Sequence, residues 1–147
     1  MKKTLLALCV LICLLLSACG GEGSGSGTVE IMEKKFIAQC TDIQNNPGSY
    51  EGKTIIIEGL ADVRYNKNES KIISSTIYRN SPGCCGNDGK VSFTLEYDGD
   101  AKPKTNDWIA VEGIIKVNTL KNGNKRVVIS VTNLTVKDER GAEFVQN

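Results

Sequence analysis

The stretch WIAVEGIIKVNTLKNGNKRVVISV, residues 108–131, reads as two strands and the turn between them. Ile109, Val111, Gly113, Ile115 and Val117 recur at every second residue, the period that places side chains on one face of a strand. Asn122-Gly123 follows, a pair that tolerates the positive φ angles of a tight hairpin turn. Lys125 to Lys137 then returns with Val127, Ile129 and Val131, and continues out of phase with Leu134 and Val136.

Working outward, three more segments have the same character. Lys90 to Tyr97 sets Val91, Phe93 and Leu95 on one face and Ser92, Thr94 and Glu96 on the other. Lys71 to Arg79 carries Ile73, Ile77 and Tyr78, and Lys53 to Tyr65 carries Ile55-Ile56-Ile57. Asn66-Lys67-Asn68-Glu69, SPGCCGNDG (81–89) and residues 98–106 read as the connections. Gly59 and Gly113 fall inside strands, where glycine marks a bulge or a bend. Five short strands with glycine bends predict a mainly all-β domain, a small OB-like five-stranded Greek-key barrel, with a β-sandwich as the runner-up. Before it, Val29 to Phe36 alternates loosely and Phe36 to Cys40 looks extended. Thr41 then caps one helical turn, Asp42 to Asn46, which Pro47-Gly48 stops; a longer helix over Val29 to Gln44 is the alternative.

The N-terminus gives an address. Lys2 and Lys3 precede an apolar run, Thr4 to Leu16, that is short for a bilayer span and ends in small residues, as secretory signals do. Leu16-Ser17-Ala18-Cys19 resembles the lipobox of bacterial lipoproteins. The resemblance implies that residues 1–18 are a signal peptide and that Cys19 carries a lipid; an ordinary cleaved signal or an anchor helix is the plainer reading. Residues 19–27 are then the lipidated cysteine and a Gly/Ser tether, and 28–147 the folded domain. The tether holds no apolar residue, and about eight such residues reach on the order of 15 Å. After Leu16 no apolar run is long enough to span a bilayer. The expected location is the cell membrane, lipid-anchored on its extracytoplasmic face.

Composition removes several functions. The formal charge is +1, and without Lys2 and Lys3 it becomes −1. No basic stripe stands out along the chain, so nucleic acid is not an expected partner. The sequence contains no histidine. That removes Ser-His-Asp and Cys-His nucleophiles and the commonest zinc ligand. Once Cys9 and Cys13 leave with the signal and Cys19 is lipidated, Cys40, Cys84 and Cys85 remain. Three is odd, so at least one of them is free, metal-bound or paired with another molecule.

Several segments together resemble a family of bacterial lipoproteins of uncharacterised function. The same domain is similar to the C-terminal, OB-like part of a two-component permease subunit family. The segments are Asn46 to Lys53 leading into Ile55 to Gly59, Tyr78 to Asp88, Asp107 to Gly113, and Arg140 to Val145. The Arg79…Cys84-Cys85…Asp88 segment is the most specific, and Cys40 does not belong to it. The resemblance implies an OB-like fold and, through the permease relatives, an envelope transport partner.

Cys84 and Cys85, with Asp88, form a candidate site for a soft divalent metal ion. Adjacent thiols point apart, so the pair needs a further donor from Cys40, Asp88 or a second chain. A disulfide among Cys40, Cys84 and Cys85 is the second reading, since such bonds persist outside the cytoplasm. Thiol-disulfide catalysis would normally use Cys-X-X-Cys at a helix start, which this stretch lacks. The plain reading is a tight loop whose thiols fill space. Arg79, just before the stretch, is expected to pair with Asp88 or Glu58, or to hold an anionic ligand. A lone Trp108 is more often core than ligand platform. Asp98, Asp100 and Asp107 look solvated and match no EF-hand spacing. The sum is a membrane-tethered binding protein that does not catalyse. A surface thiol-disulfide protein and a purely structural interaction module are the competing classes.

Overall fold

In the computed structural model, Asn122-Gly123 closes an antiparallel hairpin of strands β5 (Trp108–Thr119) and β6 (Lys125–Lys137). The structure describes residues 27–69, 71–83 and 86–146, with the backbone alone at 83 and 86–88. Gly123 adopts φ +82°, a region that glycine enters without steric cost. The register shifts between Glu112, opposite Asn133, and Gly113, opposite Val131. Thr132 is therefore the extra residue of a bulge. One extra residue reverses the alternation, so Leu134 is buried although it is out of phase with Val127 and Ile129. A Cβ on Gly113 would stand 2.6 Å from the Ser130 carbonyl oxygen, so the bulge admits glycine alone.

Strands β2 (Thr54–Tyr65), β3 (Ile72–Gly83) and β4 (Gly86–Glu96) complete the wall. β2 pairs antiparallel with both β3 and β5, β3 with β4, and β4 runs parallel to β6. The circuit β2-β3-β4-β6-β5-β2 is thus closed. The neighbour order β5-β2-β3-β4 is that of a Greek key. The expected small all-β barrel is present. A sixth strand adds to the five expected: β1 (Thr28–Glu30) lies parallel to the start of β2, with Thr28 opposite Thr54. Gly59 departs from the bulge expectation. It stays in register with Ile109 and instead permits close approach, since a Cβ there would meet the Tyr78 carbonyl oxygen at 2.7 Å.

The N-terminal segment corrects the sequence reading. Phe36 to Cys40 is not extended; α1 spans Phe36–Asn45 after a 3-10 turn at Glu33–Lys35. Phe36, Cys40 and Ile43 are its buried residues, at the i, i+4, i+7 spacing of one helical face. The N-cap residue Lys35 makes no side-chain cap, which is why the start carries no sequence signal. At the other end Asp42 accepts hydrogen bonds from Tyr50 and from Asn46, and Pro47 opens a second 3-10 turn. The apolar face of α1 joins Ile55, Ile57, Ile77, Phe93, Ile109, Val111, Ile115 and Ile129 in one core. Each such side chain contributes about 1.5–3 kcal/mol by leaving water. Among the described residues no helix is long and apolar enough to cross a membrane.

The stretch 81–89 is not a nine-residue turn. The β3–β4 ladder continues through it, pairing Ser81 with Gly89 and Gly83 with Gly86. A register shift falls between Ser81 and Gly83, at Pro82, the residue that has no N–H to give to a ladder. The hairpin runs on past the barrel wall, because the last β2–β3 pair is Leu60 with Tyr78. Beyond that point the C-terminal tail borders β3: Asn80 donates to the Glu143 carbonyl and accepts from the Val145 amide, both at 3.0 Å.

Candidate functional site

Arg79 lies where β3 leaves β2. Its side chain is turned inward and is 3% exposed. The guanidinium sits between two aromatic rings, 4.7 Å from the centre of Phe36 and 4.8 Å from that of Trp108. Nε donates to the Glu58 carbonyl oxygen at 2.9 Å. Nη1 donates to Glu33 Oε2 and to the Ala142 carbonyl oxygen, each at 3.3 Å. The expected ion pair with Glu58 is thereby corrected. Glu58 gives Arg79 its backbone rather than its carboxylate, and the ion pair is with Glu33. The ladder carries Asp88 past the Ser81–Gly89 pair, and the Asp88 side chain lies outside the described residues.

The neighbours of Arg79 are themselves tied together. Glu33 Oε2 also accepts from the Ala142 amide at 3.1 Å. The Glu58 carboxylate accepts from Trp108 Nε1 at 3.3 Å and from Lys137 Nζ at 3.0 Å. Burial alone would raise the Glu58 pKa, but these two bonds and the charges of Lys137 and Arg79 bring it below the ordinary carboxylate value. Burial likewise works against the charge on Arg79 and lowers its pKa, and Glu33, Glu58 and Cys40 offset part of this. Trp108 is core, 1% exposed, packed with Leu60 and Tyr78. A Cβ on Gly141 would come within 2.9 Å of its ring, so the tail crosses Trp108 at a glycine.

A groove of about 320 Å³ opens beside this cluster, lined by Glu30, Met32, Glu33, Ile56, Glu58 and Arg79 among others. Its polar wall is mostly carboxylate, and the one guanidinium in it is already engaged. Arg79 therefore reads as a bolt that joins β3, the 3-10 turn at Glu33 and the tail, rather than as a free anion receptor.

Cys40 is a free, fully buried thiol. Burial pushes its pKa up to about 12, against a smaller lowering by Arg79. It stays protonated at neutral pH, and a thiol rather than a thiolate is a poor nucleophile and metal ligand. Cys84 and Cys85 lie outside the described residues. Gly83 and Gly86, which flank them in the sequence, are paired. Among the described residues no three Cys, Asp or Glu side chains cluster to hold a metal ion. Cys19 also lies outside them. Of the candidate residues, Arg79 and Cys40 thus lie inside, and the backbone of Asp88 lies on β4. Glu33 and Ala142 escaped the sequence reading because they stand 46 and 63 residues from Arg79.

The family of DUF1980 C-terminal domains matches residues 17–145 of this chain. The chain belongs to that family. No curated protein matches it.

Proposed function

We propose that this member of the DUF1980 C-terminal domain family is a lipid-anchored, extracytoplasmic binding protein. In this reading it is an OB-like barrel, tethered through Cys19, that presents Cys84 and Cys85, with Asp88, to a soft metal ion. An envelope transport partner supplies or receives that ion. The observation that carries the reading is the β3–β4 hairpin. Its ladder extends five residues past the last β2–β3 pair, to Gly83 and Gly86, which flank the adjacent cysteines in the sequence. A staple for the core would be expected on the wall, and a redox pair at a helix start. Two adjacent thiols supply soft donors but do not by themselves complete a coordination shell. The strand circuit supports the OB-like assignment, since a five-stranded Greek-key barrel defines that fold.

The test uses the full chain expressed in a bacterium and extracted from membranes. Its intact mass reports the lipid on Cys19, and its free-thiol count reports Cys40, Cys84 and Cys85. Titration with Zn²⁺ and Cd²⁺ under native mass spectrometry should add one metal per chain, or one per chain pair. A chelator should strip it, and Cys84→Ala or Cys85→Ala should abolish it. A mass short by two hydrogens, with one thiol left and no metal uptake, would replace the metal reading with a disulfide.

A further inference from the structure

From Gly113 to Lys137 the chain contains no Asp or Glu but five basic residues, Lys116, Lys121, Lys125, Arg126 and Lys137. The β5–β6 hairpin gathers them unevenly. Lys137 pairs with Glu58 at its base and Lys116 with Glu96 halfway along. Lys121, Lys125 and Arg126 surround the turn, all exposed, and no carboxylate among the described residues lies within ion-pair distance of them. The register fixes where this turn points. Thr28 is opposite Thr54, and Thr54 is opposite Ile114. The last contact of β5 with the lead-in to β2 is at Ile115, which bonds to Gly52 and Lys53. Four further rungs, Lys116↔Val128 to Thr119↔Lys125, carry the hairpin on in the direction from which the chain enters at Gly27. At about 3.3 Å per residue this projection is about 13 Å. A Gly/Ser coil as long as the sequence from Cys19 to Gly27 would have a reach on the order of 15 Å.

We propose that the tip of the β5–β6 hairpin is a second membrane contact, which binds anionic lipid headgroups through Lys121, Lys125 and Arg126. The proposal rests on the Cys19 anchor read above. That anchor brings the entry end of the barrel within one tether length of the bilayer, and the projecting cations span that gap. Three cations within a Debye length of an anionic surface each gain about 1 kcal/mol. The second contact fixes which end of the barrel faces the lipid.

The full, lipidated chain is reconstituted in vesicles of phosphatidylcholine alone or of phosphatidylcholine with phosphatidylglycerol. Acylation of each lysine by an amine reagent is read by mass spectrometry. Lys121 and Lys125 should react about five-fold more slowly on the anionic vesicles, the factor that 1 kcal/mol represents. High salt should reverse this. Lys67 and Lys71, in the connection at the opposite end of the barrel, should not change. Arg126→Glu, at an exposed position, should return both tip lysines toward their rates on the neutral vesicles. Equal rates on both vesicles, with lipid on Cys19 shown by mass, overturn the proposal and leave the anchor standing. Protection that appears only with an added acidic protein or nucleic acid also overturns it. If the mass shows no lipid, the anchor reading falls. Flotation of that protein with phosphatidylglycerol vesicles then decides the hairpin separately: salt-sensitive flotation upholds it and absence of flotation overturns it.

Discussion

Arg79 stands on β3, and Cys84 follows five positions later in the sequence, just after Gly83, the strand's last residue; the surroundings of β3 change within that interval. At Arg79, β3 has just left β2, and the side chain is enclosed by Phe36, Trp108, Glu33 and the tail. From Asn80 onward the strand is bordered by β4 and briefly by the tail, and it leads to Gly83. Sequence proximity had joined them into one candidate site. Chemistry separates them, because a buried cation must be satisfied by fixed partners and a ligand-presenting segment must not be. The contrast sets the scale of what mutation should do along this single strand.

The largest effect is expected at the bolt. Arg79→Ala empties the space between two rings and unties Glu33 and the Ala142 carbonyl from β3, at a cost of about 3 kcal/mol. The denaturant midpoint with unchanged slope reports it. A loss below about 1 kcal/mol would break the comparison, because Arg79 would then be held for a ligand rather than for the fold.

Alkaline pH probes the same interior from Cys40. Its folded pKa, about 12, lies above the ordinary thiol value of 9.0. The folded state therefore holds this proton more tightly than the unfolded chain does. The stability it contributes is complete below about pH 9 and is lost as pH rises toward 12, by about 1.4 kcal/mol per pH unit. Lysines and tyrosines also titrate there, so the quantity to measure is the difference between the wild-type chain and Cys40→Ala. That difference should change with pH only above 9. A pH-independent difference would mean that Cys40 is less enclosed than its position in α1 indicates.

Glu33 should matter less than Arg79, since its side chain is 54% exposed and its charge is well solvated. Glu33→Ala removes one acceptor from Arg79 and one from the Ala142 amide, for about 1 kcal/mol. Hydrogen exchange at Ala142 should accelerate in that variant, while exchange in the β5–β6 ladder should not.

The barrel was legible because its evidence is local. The alternation of Val91, Phe93 and Leu95, the Asn122-Gly123 turn and Gly113 each act within a few residues. Even the phase slip before Leu134 was visible, and the bulge at Thr132 explains it. α1 was read only in part, as one turn at Asp42 to Asn46 with a longer helix as the alternative, because its one strong signal, Phe36-Cys40-Ile43, lacks a cap at Lys35 and overlaps a run that also fits a strand. The partners of Arg79 were not legible for a different reason. Glu33 and Ala142 reach it only once β1, the 3-10 turn and the tail have packed on the barrel, and no spacing in the chain encodes that meeting. The bare cations of the β5–β6 tip belong to the same class, because a charge run on a hairpin becomes a patch only when the ladder shows which end projects.

The smallest change in stability is expected where the chemistry is expected to be greatest. Cys84→Ala and Cys85→Ala change the residues that follow Gly83, where β3 has run past its last pair with β2, and each should shift unfolding by no more than about 0.5 kcal/mol. Both should nevertheless remove soft-metal uptake. The comparison is sharpest when made under oxidising and reducing conditions in parallel. If either variant, or added reductant, costs about 2–4 kcal/mol, a cross-link is constraining the unfolded chain. The hairpin end would then belong with the interior after all, with Cys40 as the natural partner. If stability holds while metal uptake disappears, the four residues between Arg79 and Cys84 mark the boundary between the part of the chain that holds the fold and the part that faces a ligand.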